Sequence, residues 1–434
     1  MVTPSDIVAV FLAFVTLTPA ILLLGLLARR GAEMHKTPPP LKNLPFVSVI
    51  VPAYNEEGTI TNTLLSVFAL NYPKEKLEVI VVNDGSTDRT NEICEVFRKR
   101  GEIILINQEN KGKGAAMNAG ARAAKGEFVV CLDADSEPHP DALMKMLRYF
   151  TDDGVACVTA ALKVKNKSEF LSGAQAVEYV FGIILRRLLS FVNAIVVIPG
   201  PFSIYNKNIL LGVGGFDEHN LTEDNEIALR FLDRGYKIQN CIDSYVYTIA
   251  PTTLRGLYKQ RLRWNRGNIE NCIKYKNLFF NPRNPYVGFL ILPMFAASFG
   301  AVFGAVAFVT YSISKNLAEA ADYFWRLYQI NFDINPFLGQ LSVRAIKDYA
   351  AMYFLNMTVM NAVYFIISAL LIFILYNAFR HSGERIRSHN KLSLLAYLFI
   401  YFPMLSLTWC AAVIQHAFGA KKQWYHKTEQ QKIF

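Results

Sequence analysis

Residues 7–28 run without a single charged side chain and end on Arg29-Arg30. A hydrocarbon layer of about 30 Å is crossed by roughly 20 apolar residues in helical form, because only a helix satisfies every backbone polar group within its own segment. The run is too long for a signal-peptide core, and no small-residue cleavage site clearly follows it, so it reads as a retained signal anchor. Comparable apolar runs recur at about 287–311, 350–379 and 392–418. They assign an N-terminal transmembrane helix to residues 1–30 and a C-terminal transmembrane region of about three spans to residues 286–420. With 52% hydrophobic and 13% aromatic residues in 434, the chain has the balance of a membrane protein with one soluble part of about 200 residues.

The net charge of +10 does not gather in one basic block. It clusters beside the apolar runs, at Arg29-Arg30 and from Arg380 to Lys391, as on the cytoplasmic flank of membrane helices. With no recognition motif present, nucleic acid is not an expected partner. Segment 312–349 carries balanced charge and reads as an external loop. The basic tail, 421–434, competes with residues 380–391 for the same side of the membrane, and its side stays open. Six cysteines show no paired spacing, which predicts buried, reduced thiols.

Between the apolar runs, residues 31–45 form a stiff linker around Pro38-Pro39-Pro40. Short β-rich runs follow at Val47–Pro52, Glu78–Val82, Ile103–Ile106, Phe128–Leu132 and Val155–Ala160, with helical patterns such as Ile60–Leu70 and Asn91–Lys99 between them. Strands alternating with helices predict an α/β domain, over residues 46–252, with a mostly parallel sheet whose ligands bind beyond the carboxyl ends of the strands. Residues 169–193 are helical in period and unusually apolar, and 253–285 alternate basic and apolar residues around Trp264. Both read as helices at the membrane interface.

Acidic residues stand where that topology places ligands. Tyr54-Asn55-Glu56 closes the first strand, Asn83-Asp84 the second, and Asp133-Ala134-Asp135 follows the fourth. Carboxylates there can accept from ring N–H and sugar hydroxyls or hold a hard divalent cation. Asn83-Asp84-Gly85-Ser86 is also a good turn sequence, and Thr222-Glu223-Asp224 a good helix start in which Thr222 would serve as a cap. Lys111-Gly112-Lys113-Gly114 has the look of a phosphate loop without the spacing of the nucleoside-triphosphate P-loop. Gln260-Arg261-Leu262-Arg263-Trp264 is the most specific string, offering a guanidinium for a departing anion and an indole face for a sugar.

Taken together, these strings resemble the membrane-embedded family 2 glycosyltransferases, the group of cellulose, chitin and hyaluronan synthases. The likeness covers residues 45–270 by motif and the flanking spans by arrangement. It implies a GT-A-type, Rossmann-like α/β fold facing the cytoplasm. It also implies that Tyr54, Glu56 and Asp84 hold the uracil and ribose of a UDP-sugar, and that Lys113 or Lys111 approaches the nucleotide. Asp133 would reach the ribose and Asp135 a Mg²⁺ or Mn²⁺ ion. Asp224, with Glu223 beside it at the substrate, would be the base that takes a proton from the acceptor hydroxyl, while Gln260, Arg263 and Trp264 complete the site. Pro199-Gly200-Pro201-Phe202 resembles the Gly-Pro turn that borders the acceptor in hyaluronan and chitooligosaccharide synthases, with Pro199 where those enzymes carry Ser or Cys. The implied activity is inverting, metal-dependent transfer from UDP-GlcNAc or UDP-glucose to a growing β-linked polysaccharide at the cell membrane. The alternatives are a non-processive enzyme with a lipid acceptor, and a non-catalytic transport or scaffold subunit.

Overall fold

The computed structural model describes residues 4–329, 347, 359–384, 391–397 and 401–419. The chain forms two compact units. One comprises Met1–Leu22 with Met294–Ile374, the other Leu23–Pro293 with Leu375–Phe434.

The second unit is built on one eight-stranded sheet, in the order β3-β2-β1-β4-β7-β6-β8-β5. Its strands are β1 (Val47–Ala53), β2 (Leu77–Asp84), β3 (Ile104–Gln108), β4 (Phe128–Cys131), β5 (Ser136–Pro138), β6 (Val155–Val164), β7 (Ser203–Asn206) and β8 (Lys237–Thr248). The five expected strands are all present. Successive side chains of a strand point to opposite faces, and β1 divides accordingly. Val47, Val49 and Val51 join Val79, Val81 and Val130 in one core, while Ile50 joins Ile80, Val82, Val129 and Cys131 in the other. Helices α2 (Ile60–Phe68), α3 (Thr90–Lys99) and α5 (Ala142–Leu147) supply the first core, and α4 (Lys113–Ala123) and α8 (Glu223–Asp233) the second. A sheet covered on both faces explains why its central strands are apolar throughout.

The sheet is mixed rather than mostly parallel. β7 runs antiparallel to both β4 and β6, and β5 antiparallel to β8. Four-residue β7 has no length in which to show a periodicity, and the 38-residue excursion between Lys165 and Phe202 hides its place in the order.

The two helices expected at a membrane interface are seated on protein instead. Helix α6 (Phe170–Ser190) lies on β6 and β8 with most of its residues buried, and α9 (Leu254–Lys274) buries Arg261 and Arg266. Beyond the sheet, α10 runs unbroken from Leu292 to Gln329, so the described part of the expected external loop is helix. Its Lys-Asn-Leu-Ala-Glu-Ala-Ala stretch consists largely of good helix formers and holds no glycine or proline. Three helical segments among the described residues are long and apolar enough to cross a membrane: Ala13–Glu33, Val287–Gly304 and Phe365–Ser382. The span expected at 350–379 corresponds to the helix Val359–Ser382, with 350–358 outside the described residues. For the last expected span, the helix Lys391–Ala396 packs on α6 and the helix Phe402–Ala417 on α9, with Ala396 and Tyr401 buried beside Leu171, Ala174 and Leu257. Met404–Ala417 is a shorter apolar helix, so two C-terminal segments of spanning length stand where about three were expected. The basic tail lies outside the described residues.

Candidate active site

Parallel register sets the strand ends level. Ala53 pairs with Asn83 and Ile50 with Cys131, so the residues that follow β1, β2 and β4 leave the sheet along one edge. Their loops are laced together. Asn55 accepts from Thr87 N at 2.8 Å and donates its own N–H to Ser86 Oγ at 3.1 Å. Glu56 accepts from Thr59 Oγ1 at 2.6 Å. Buried Asp84 accepts from Gln108 Nε2 at 2.7 Å and from the N–H groups of Lys111 and Gly112, each at 2.9 Å. Asp84 thereby fixes the loop that delivers Lys113 to the start of α4.

Lys113 is the electrostatic centre. Its ammonium lies 2.6 Å from Asp133 and 3.2 Å from Glu223. Burial alone would lower its pKa, but Asp133, Glu223 and Asp224 outweigh that and raise it, so the lysine stays charged. Gly200 makes this pairing possible: a Cβ there would stand 2.9 Å from Lys113 Nζ and 3.2 Å from Asp133 Oδ2. Asp135 is buried and accepts from Ser136 Oγ at 3.0 Å.

Glu223 and Asp224 open α8. Thr222 makes no side-chain cap on that helix, contrary to the capping reading. Its hydroxyl accepts from Asn271 Nδ2 at 3.1 Å instead, in a buried set where Asn271 also donates to Asn225 Oδ1 at 2.6 Å and accepts from Asn220 at 2.7 Å. Asn271 belongs to α9, so this set fastens the acidic tip to the helix that carries Gln260 to Trp264. Asp224 has its pKa pushed up to about 6 by burial and by Glu223, against the opposing pull of Lys113 and Arg263. A carboxylate tuned towards neutrality suits a general base. Glu223 Oε2 is buried and meets no hydrogen-bond partner.

Along α9, Gln260 Oε1 accepts from Gln175 of α6 at 3.0 Å, and Arg263 donates to Leu221 O at 3.0 Å. Arg261 forms a two-pronged pair with Glu178 of α6, at 2.9 and 2.5 Å, and its guanidinium lies 4.4 Å from the Trp264 ring centre. Tyr401 closes this knot by accepting from Arg261 and donating to Glu178 Oε2 at 2.6 Å. One face of Trp264 is therefore taken by a cation.

A cavity of about 390 Å³ gathers Lys113, Asp133, Gly200, Glu223, Asp224, Gln260, Arg263 and Trp264 in its wall. Tyr54, Glu56, Asp84 and Asp135 are not part of that wall; they flank it at the strand ends. Sequence reasoning did not single out Gln175, Glu178 or Asn271. Their signal was available: a Gln and a Glu three residues apart on an otherwise apolar helix must find polar partners if that face is buried. Among the described residues no three His, Cys, Asp or Glu side chains gather as a metal cage. That accords with Mg²⁺ or Mn²⁺, which are held by one or two carboxylates together with substrate phosphates.

This is an α/β nucleotide-sugar site by its construction: carboxylates beyond parallel strand ends, a lysine among them, and a base opposite an arginine-tryptophan helix. Residues 48–212 match the family model described as glycosyl transferase family 2, and the chain carries a glycosyltransferase domain of that family with a GT-A-like fold. It is 35% identical over 231 residues to a poly-beta-1,6-N-acetyl-D-glucosamine synthase of Staphylococcus aureus (strain MSSA476), a match covering 52% of this chain and 56% of that one. The enzyme of the same name from Staphylococcus epidermidis is 36% identical over 232 residues, with the same shares. The match thus spans just over half the length of these curated relatives. Among solved structures, a mannosyltransferase from Pyrobaculum calidifontis in complex with GDP-Man and Mn²⁺ superposes with a TM-score of 0.58 at 20% identity, covering 94% of this chain and 99% of that one. That likeness shows the fold.

Proposed function

We propose that the protein is a membrane-bound, inverting glycosyltransferase that adds N-acetylglucosamine from UDP-GlcNAc to a growing β-linked polysaccharide. The observation that carries this reading is Asp224: a carboxylate raised to about 6, in one cavity with the Lys113–Asp133 pair and the Gln260–Trp264 helix. The acceptor hydroxyl attacks the sugar's C1, its proton passes to Asp224, and the bond from C1 to the diphosphate oxygen breaks as UDP departs. One displacement inverts the anomeric centre and needs no enzyme nucleophile. Lys113 and Arg263 face the charge that grows on the leaving diphosphate, where fixed cations in a shielded site act most strongly. Asp135, with Asp133, would hold a Mg²⁺ or Mn²⁺ ion, which neutralises diphosphate charge as it develops. Tyr54, Glu56 and Asp84 lie where the nucleotide base and ribose are expected, and Glu223 Oε2 is free to accept from a donor hydroxyl.

N-acetylglucosamine is preferred to glucose because the relatives described above are named for polymers of it. The flanking apolar helices place the reaction at a bilayer, with the domain on the cytoplasmic side, where basic flanks belong. The deciding experiment supplies the detergent-purified full chain with UDP-GlcNAc, UDP-glucose or UDP-glucuronate and either Mg²⁺ or Mn²⁺, beside Asp224→Asn. A GlcNAc polymer that the variant cannot make is the expected result. A single-sugar lipid product would replace the polymer reading with glycolipid synthesis, and donor binding without turnover would favour a scaffold.

A further inference from the structure

Two adjacent arginines on α6 meet opposite fates. Arg187 spends its guanidinium on four carbonyls, those of Met34, Asn240, Glu33 and Lys36, at 2.8–3.3 Å. Arg186 lines the cavity, and its Nε is buried without a hydrogen-bond partner. The guanidinium folds back along its own helix over Gly182, where a Cβ would stand 3.2 Å from Nη1 and 3.5 Å from Nη2. Burial lowers its pKa to about 10, while Tyr179 and Glu178 act the other way. Glu178, the carboxylate one would expect to neutralise it, is already engaged by Arg261 and Tyr401. A buried guanidinium left in this state costs stability and offers nothing to the fold.

What surrounds it indicates what it binds. Leu185, Leu189, Ile195 and Val197 form an apolar wall on this side of the cavity, with Trp264 also lining the space. Formal charges in the wall already match: Lys113, Arg186, Arg261 and Arg263 stand against Asp133, Glu178, Glu223 and Asp224. An additional anion is not called for. A neutral ligand with apolar C–H faces and a rim of oxygen acceptors fits both the wall and the unspent N–H groups.

We propose that Arg186, seated over Gly182, is a binding point for the uncharged acceptor saccharide, donating hydrogen bonds to its hydroxyl or N-acetyl oxygens. This rests on the glycosyl-transfer reading above and adds a residue to it. Arg186 selects and holds the acceptor, leaving the donor to the Lys113 end of the cavity.

The test uses the full chain in detergent, with β-linked N-acetylglucosamine oligosaccharides as acceptor probes and Arg186→Gln, Arg186→Lys and Gly182→Ala as variants. Loss of one charge-assisted hydrogen bond, about 1.5 kcal/mol, predicts a roughly tenfold weaker oligosaccharide Kd by calorimetry and a matching rise in acceptor KM for Arg186→Gln. The KM for UDP-GlcNAc should move less than twofold, and the Lys and Ala variants should fall between. The thermal midpoint of Arg186→Gln should hold or rise, whereas a structural arginine would lower it. An equal change in donor KM would move Arg186 to the donor side and overturn the proposal, as would oligosaccharide binding that all three variants leave unaltered. Selective loss of turnover with a polyprenyl phosphate acceptor would replace the saccharide by a lipid phosphate. Wild-type protein that binds oligosaccharide but neither hydrolyses nor transfers UDP-GlcNAc would defeat the function reading and leave the Arg186 binding result standing.

Discussion

At Asp224 two requirements meet, since the carboxylate must be ionised to take a proton and sits where ionisation is penalised. Its folded pKa of about 6 lies above the ordinary carboxylate range. Activity (as kcat/KM) should therefore fall as pH drops through about 6, and Asp224→Asn should remove that limb with at least a hundredfold loss of rate. The stability effect has the opposite sense. With the folded pKa above the unfolded one, the folded state gives up stability as pH rises through about 6. Asp224→Asn should thus raise the thermal midpoint at pH 8 and do little at pH 4, by on the order of 1–3 kcal/mol. Gly200 makes a second residue-scale case. Gly200→Ala would push a methyl group against the Lys113–Asp133 pair, so transfer should drop steeply with little change in stability, read by kinetics beside thermal denaturation. Asp84, Asp133, Asp224 and the Gln260–Trp264 string were legible because each is a polar group at the end of an apolar run. Glycine has no side chain to read, so Gly200 drew notice through a motif and not through the contact that makes it necessary.

Between elements, α9 is the helix to which the catalytic parts are fastened. Asn271 ties it to the acidic tip, and Gly267 lets it pass so close that a Cβ there would meet Thr222 Oγ1 at 2.2 Å. Gly267→Ala should move the Thr222–Asp224 tip, lowering kcat more than it alters donor binding; equal losses in both would argue for general misfolding. On the other side, Glu178→Gln would leave Arg261 buried with half its partners gone. Breaking a buried pair in this way costs about 3–5 kcal/mol, and denaturant unfolding would measure it. The periodicity of α6 and α9 was visible, whereas their location was not. An apolar helix bearing arginines has the same sequence signature on a sheet as on a membrane surface, because both present an apolar face. The polar stripe Gln175, Glu178, Arg186 favours protein over lipid, since each member has to meet another polar group or a ligand.

For the whole molecule, the sheet unit and the apolar helices imply a reaction at a bilayer, and its cation dependence is testable. Lys113 already balances Asp133 and Glu223, so the fold does not depend on a divalent ion. A chelator should abolish transfer, Mg²⁺ or Mn²⁺ should restore it, and the thermal midpoint should stay within about a degree throughout. Arg187 pins residues 33–36 of the linker to β8, which sets where the chain enters the domain after its first apolar helix. The sequence by itself determined the apolar helices, the alternating strands and the acidic positions at their ends, because hydrophobic period and turn chemistry are local and each run declares itself. Only the tertiary structure decided the antiparallel place of β7, the seating of α6 and the helix Phe402–Ala417 against the domain, and the tuning of Asp224. These arise from pairings between residues far apart in the chain, such as Tyr401 with Glu178 and Asn271 with Thr222, whose energies depend on burial that no local pattern specifies.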